Sequence, residues 1–214
     1  MAVEGRIILL PLLGMSLALS VWLLLAPNPV LKGLALLGWS LVIFSLMFFR
    51  DPHREIPPDA QAFLSPADGR VVEIKPIGRD AHIGGEALQI SIFLSIFNVH
   101  AQRVPFDGEV TATDYRPGKF LAAFNHRANE ENEQALSFFK ANGGNFIVKQ
   151  VAGLVARRVI NYMRTGQQAQ RGERLGFIRF GSRVVIILPA DFDLRVKVGD
   201  RVSGTTSIIG YFAT

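Results

Sequence analysis

The first fifty residues are patterned unlike the rest of the chain. Ile7 to Leu25 is a run of nineteen residues without a charge, and Val30 to Phe49 is a run of twenty interrupted only by Lys32. A bilayer hydrocarbon core of about 30 Å needs roughly 20 helical residues, so each run predicts a helix long enough to span it. Between them, Ala26-Pro27-Asn28-Pro29 breaks the helix, because proline lacks a backbone donor and restricts the residue before it. Lys32 lies near that break, where its ammonium can extend to the interface. A second apolar run follows at once and no small-residue cleavage site stands out, which argues against a removable signal peptide. The pattern predicts a membrane-anchoring helical hairpin over residues 1–50.

Residues 51–61 are polar and proline-rich, which predicts a stiff linker; His53 within it is given no chemistry. From Ala62 the apolar positions come in short runs separated by glycine and asparagine turns. Gly69-Arg70-Val71-Val72-Glu73-Ile74 follows a Pro-Ala-Asp-Gly turn, Ala87 to Phe97 is apolar, and Glu109 to Thr113 alternates. Glu133 to Lys140 and Phe146 to Val151 flank Ala141-Asn142-Gly143-Gly144-Asn145, a hairpin signal. Val184 to Leu188 predicts a buried strand, Val196 to Val202 encloses a Gly199-Asp200 turn, and Ser207 to Phe212 closes the chain. Leu154 to Met163 is the only stretch with a helical pattern in this part. The expected fold is mainly β (α+β), a β-rich barrel or sandwich over residues 62–214 behind the helical hairpin.

Charge refines this picture. The net charge of +5 suits an acidic partner, but the basic residues are scattered and form no nucleic-acid motif, so anionic lipid headgroups fit better than nucleic acid. Arg6 precedes the first apolar run, and Arg50 and Arg54 follow the second. The positive-inside rule then puts both ends, and the domain that follows, on the cytoplasmic face of the cell's inner membrane. With no cysteine, the chain has no disulfide, thiolate metal site or cysteine nucleophile.

Familiar catalytic signatures are absent. There is no Gly-x-Gly-x-x-Gly, no phosphate loop and no His-Glu-x-x-His, and the four histidines have no metal-ligand spacing, so no metal is expected. Asp68 lies in Ser65-Pro66-Ala67-Asp68-Gly69, where an Asp-Gly turn is ordinarily only a turn. His100 ends a long apolar run; it is either a satisfied structural residue or a general base, since imidazole exchanges protons near neutral pH. His126 sits in a loop that could cover a site, and His82 in a glycine-flanked turn looks inert. Gly181-Ser182, before the Val184–Leu188 run, reads by itself as a bend entering a strand.

Taken together these residues resemble a known family. The match runs through Phe49-Arg50-Asp51-Pro52, Ser65-Pro66-Ala67-Asp68-Gly69, Asn98-Val99-His100 with Val104-Pro105, Pro117-Gly118-Lys119-Phe120 and Asn129-Glu130-Glu131-Asn132. Its most specific part is Gln150 to Arg183, which ends in Phe180-Gly181-Ser182-Arg183. The chain is similar to the short, membrane-bound form of phosphatidylserine decarboxylase, a pyruvoyl-dependent family, over about residues 48–214. The resemblance implies self-cleavage between Gly181 and Ser182 into a β chain, 1–181, and an α chain, 182–214. It implies that Ser182 becomes a covalent pyruvoyl cofactor, which forms a Schiff base with phosphatidylserine on the way to phosphatidylethanolamine. Asp68 and His100 would orient and activate Ser182, with His126 a loop contributor. The chain departs from the longer members in two places. Those carry two histidines before a Met-Pro pair and a Leu-Gly-Ser-Thr motif; here Arg103 stands nearer Val104-Pro105, and the motif is Phe-Gly-Ser-Arg.

Two other readings remain open from the residues. One is the same chemistry on an archaeal ether lipid, archaetidylserine. The other is a non-catalytic, membrane-tethered β-sandwich adaptor, since Asp-Gly-Arg-Val-Val-Glu-Ile and Val-Gly-Asp-Arg-Val are similar to biotinyl and lipoyl hairpins, although no attachment lysine is present. Assembly as a homo-oligomer is open in every case.

Overall fold

The computed structural model describes residues 1–119, 131–153, 159–179 and 182–213. They form two compact units, Met1–Pro52 and His53–Thr214.

In the first unit a short 3-10 turn at Val3–Gly5 leads into α1 (Arg6–Leu25), and α2 follows over Pro29–Phe48. Asn28 starts α2 by accepting a hydrogen bond from Val30 N at 2.8 Å, and Pro29 takes the first helical position, where no N–H is needed. The two helices touch at small residues: a Cβ added to Gly38 would lie 2.7 Å from Ser16 Oγ. The buried Ser16 hydroxyl is satisfied by donating to Leu12 O at 2.7 Å, and Trp39 Nε1 donates to Ser20 Oγ at 3.1 Å. Each helix is long and apolar enough to cross a bilayer, with mean hydropathy 2.4 over Val3–Leu25 and 1.9 over Pro29–Phe48.

The second unit is β-rich. Its strands are β1 (Phe63–Leu64), β2 (Gly69–Asp80), β3 (Gly85–Leu94), β4 (Ala101–Arg103), β5 (Gly108–Arg116), β6 (Gln134–Ala141) and β7 (Gly144–Ala152). They continue with β8 (Val159–Asn161), β9 (Gln168–Ala169), β10 (Arg174–Ile178), β11 (Ser182–Pro189), β12 (Asp193–Leu194), β13 (Arg201–Val202) and β14 (Ile208–Tyr211). Eight of them make one curled sheet in the order β13-β2-β3-β11-β7-β6-β5-β9. Two three-stranded sheets, β4-β10-β8 and β1-β14-β12, complete the unit.

The position of β11 follows from its composition. A strand buried on one face alternates, whereas Val184-Val185-Ile186-Ile187-Leu188 does not, because both faces are covered. Val184, Ile186 and Leu188 join the main core with Ile90, Ile92, Leu94 and Val148. Val185 and Ile187 point the other way, into a second cluster with Leu136, Ile147 and Val151. Such a strand belongs in the middle of a sheet, and β11 lies between β3 and β7.

Some elements differ from the sequence expectation. The strand over Ala87–Phe97 stops at Leu94, where Asn98 ties off a turn. Of Val196–Val202 only Arg201–Val202 is strand, since Asp200 holds Lys197 N at 2.9 Å and Gly199 turns with φ +100°. The expected helical patch is corrected in its second half. Val159-Ile160-Asn161 is a strand because Gly176, Phe177 and Ile178 of β10 provide a pairing edge, and tertiary pairing overrides a weak local pattern. Its first half, 154–158, lies outside the described residues.

Candidate active site

Ser182 opens β11. It pairs with Leu94 of β3 on one side and Ala152 of β7 on the other, so its backbone is locked at the centre of the large sheet. Its side chain points with Val184 and Ile186 into the main core and is fully buried. Among the described residues no hydrogen-bond partner reaches its hydroxyl. A buried polar group left unsatisfied costs about 1–3 kcal/mol, so this orphan asks for an explanation beyond packing. Gly181, the other half of the expected cleavage site, lies outside the described residues, as does His126.

The turn that follows Leu94 carries the chain directly to His100, which is fully buried at the entrance to β4. Its Nδ1 lies 3.0 Å from Asn98 O. A carbonyl oxygen only accepts, so Nδ1 carries the proton and the lone pair of the neutral ring is on Nε2. The backbone of His100 is fixed as well: its carbonyl accepts from Gln102 Nε2 at 2.7 Å and from Ile178 N at 3.4 Å.

Two glutamines missed in the sequence connect this histidine to the serine strand. Gln150 on β7 is opposite Val184, which makes it a diagonal neighbour of Ser182 on the same sheet face. Its amide nitrogen donates to Gln102 Oε1 at 3.0 Å and to Ile160 O at 3.2 Å. The path therefore runs Ser182 strand, Gln150, Gln102, His100. Both glutamines are fully buried, and Gln150 Oε1 has no partner among the described residues. Glu133, also buried, stands across from Ala152, where its backbone carbonyl accepts from Ala152 N at 2.9 Å; its carboxylate Oε1 accepts from Val159 N at 3.0 Å. Alternating strand patterns read such polar residues as solvent-facing, so only their tertiary partners reveal them.

Asp68 leads into β2, whose Arg70 is in register with Phe93, itself in register with Arg183. With two strand spacings between β2 and β11, Asp68 starts roughly 10 Å from Ser182. Its carboxylate is held by Arg54, Nη2 to Oδ2 at 2.8 Å and Nη1 to Oδ1 at 2.5 Å, and by Gly204 N at 2.8 Å. Among the described residues, its hydrogen-bond partners are Arg54 and Gly204 and not His100. The Gly204 turn continues into Thr205, a β-branched residue at φ +74°. Such a conformation costs about 1–3 kcal/mol and persists only where surroundings enforce it. Here Thr205 N is pinned to Ser65 O at 2.9 Å.

On the opposite face, Arg183 is buried beside Glu73. Burial pushes its guanidinium below the ordinary arginine value, against the attraction of Glu73. For Glu73 burial acts to raise the carboxyl, but Lys75, the Ser91 hydroxyl and Arg183 together hold it below its usual value. His82 is occupied structurally, with Nε2 3.0 Å from Phe139 O and its ring edge-on to Phe138.

Comparison with known proteins agrees with the resemblance. A family model described as phosphatidylserine decarboxylase matches residues 41–210. The chain is 48% identical over 178 residues to the phosphatidylserine decarboxylase proenzyme of Aromatoleum aromaticum, covering 83% of this chain and 82% of that one. It is 46% identical to the proenzymes of the same name from Paraburkholderia phymatum and Burkholderia pseudomallei, over 83% of this chain and 84% and 82% of theirs. With a family model that matches most of its length and relatives 46–48% identical over 83% of it, the chain belongs to the phosphatidylserine decarboxylase family.

Proposed function

We propose that this protein decarboxylates phosphatidylserine to phosphatidylethanolamine in phospholipid biosynthesis, using a pyruvoyl group made from its own Ser182. The observation that carries this is the buried Ser182 hydroxyl, without a partner among the described residues, at the head of the central strand. A structural serine there would have a hydrogen bond; a nucleophile waiting to attack its own backbone need not.

The maturation chemistry balances without any added reagent but water. Ser182 Oγ attacks the Gly181 carbonyl carbon and gives its proton to a base; the C–N bond breaks and an ester with a free amine at 182 remains. Loss of the Ser182 Cα proton then expels the Gly181 carboxylate, which ends the 1–181 chain and leaves dehydroalanine at 182. Its imine tautomer takes up water and releases ammonia, which leaves a ketone at the head of 182–214. We assign the proton acceptor to His100 Nε2, since Asn98 O holds the proton on Nδ1. Asp68 would act indirectly, by fixing the Gly204 turn and Arg54.

Ser182 is fully buried, and the pyruvoyl cap made from it would keep the three carbons of the serine. Held at the head of β11, that ketone would supply a carbonyl for the substrate amine and a sink for the electron pair left by carbon dioxide. The chain's own residues keep water out: Leu94, Ala152 and Val184 around Ser182 are all fully buried. The two apolar helices and the flanking Arg6, Arg50 and Arg54 support an inner-membrane location, with the β domain on the cytoplasmic face.

Intact mass spectrometry of purified protein tests the reading. It should give fragments of 181 and 33 residues, the smaller blocked at its N-terminus by a carbonyl. Ser182→Ala should stay whole and inactive, and His100→Ala should be cut slowly or not at all. A wild-type chain that remains intact and carries an unmodified Ser182 would remove the basis of the proposal.

A further inference from the structure

We infer that the turn between β3 and β4 is an interfacial wedge, with Ile96 and Phe97 entering the headgroup–acyl boundary of a phospholipid bilayer beside the reaction centre. The inference rests on the lipid-headgroup reading given above. On either side of the turn the chain is deeply buried: Leu94, in register with Ser182, before it, and Val99 and His100 after it. Between them Ile96 is 41% exposed and Phe97 63% exposed. Phe97 is the most exposed large apolar side chain among the described residues of His53–Thr214.

The turn is built to hold these side chains out. Asn98 Oδ1 accepts from Ser95 N at 2.9 Å and from Ser95 Oγ at 2.8 Å, and Asn98 N donates back to Ser95 O at 2.9 Å. The same Asn98 then turns its own carbonyl to His100 Nδ1. One residue therefore braces both the apolar tip and the histidine, so the tip cannot shift far without carrying the ring with it.

The occupant follows from the substrate. A phospholipid keeps its acyl chains in hydrocarbon and offers only a short headgroup at the surface, so the opening that admits the head must meet the interface. Apolar groups in that position sit about 5–10 Å into the headgroup–acyl boundary. Removal of one such side chain from water is worth about tenfold or more in binding.

The test uses the full-length chain in phosphatidylcholine vesicles that contain phosphatidylserine, with water-soluble dihexanoyl phosphatidylserine assayed in parallel below its micelle concentration. The Ile96→Ser/Phe97→Ser double variant should mature normally and lose about tenfold or more in kcat/KM on the vesicle substrate. On the soluble substrate it should stay within about twofold of wild type. Equal loss on both substrates, or loss on neither, overturns the wedge. Wild type inactive on both substrates instead overturns the functional reading. A second measurement needs no activity. Because the chain has no cysteine, Phe97→Cys can carry a single fluorophore, with Val198→Cys as a water-facing control. Doxyl-labelled lipids should quench the label at 97 and spare the one at 198; equal quenching at both, or none at 97, rejects the wedge, as does quenching that depends on a second copy of the chain rather than on lipid.

Discussion

One amide nitrogen of Gln150 serves two acceptors, and it has room to do so only because residue 176 is glycine. A Cβ there would lie 2.5 Å from that nitrogen and 2.2 Å from Ile160 O. Gly176→Ala should therefore force β8 and β10 apart and lower stability by about 1–3 kcal/mol, as overpacking does. It should also slow self-cleavage, read as the disappearance of full-length chain on a gel; an unchanged melting temperature and cleavage rate would mean that the strands adjust freely. Gln150→Leu is expected to behave similarly, since it strands Gln102 Oε1 without its donor at a cost of about 1–3 kcal/mol. Restoration of cleavage by Gln150→Asn would argue that the amide, not its length, matters. None of this was legible in the sequence. Gln102 and Gln150 are 48 positions apart, and each by itself looks like the polar phase of an alternating strand. Ser182, by contrast, could be picked out through the family's Gly-Ser segment, but not its burial or its missing partner.

At the level of elements, the apolar run of β11 and the glycine-rich turn between β6 and β7 could be read directly, because their patterns express local rules of burial and turn geometry. Val159–Asn161 could not, because it is three residues long and strand only by virtue of its partner β10. The face of β11 opposite Ser182 carries a second, titratable feature. Glu73 accepts hydrogen bonds from Gln89 at 3.0 Å and Ser91 at 3.1 Å and lies beside Arg183. A carboxyl held below its ordinary value stabilises the fold above the unfolded-state value and loses that contribution as pH falls through the folded one. The stability advantage of wild type over Glu73→Gln should thus be full at neutral pH and shrink once pH drops below 4.5, the ordinary glutamate value. Thermal melts of both proteins across that range check it; an advantage that grew on acidification would reverse the sign.

For the molecule as a whole, the division into an apolar helical pair and a β-rich unit was plain from hydropathy, whereas the strand order was not. Nothing local says that a strand starting at residue 182 inserts between β3 and β7, strands that end at 94 and 152. That insertion has a consequence for the mature enzyme. A cut before Ser182 would turn residues 182–214, which supply β11 to β14, into a separate polypeptide whose longest strand already fills the middle of another's sheet. Its partner would be met at the effective concentration of a single chain, so stoichiometry would be one to one by birth and no encounter rate would enter. Size-exclusion of the matured protein at serial dilutions should show no dissociation of the pieces. The two pieces expressed from separate messages should fail to combine, because the larger would expose the open edges of β3 and β7 and aggregate first. Such a cut would give a heterodimer without an association step, inherited from one reading frame and held together by the sheet that β11 completes.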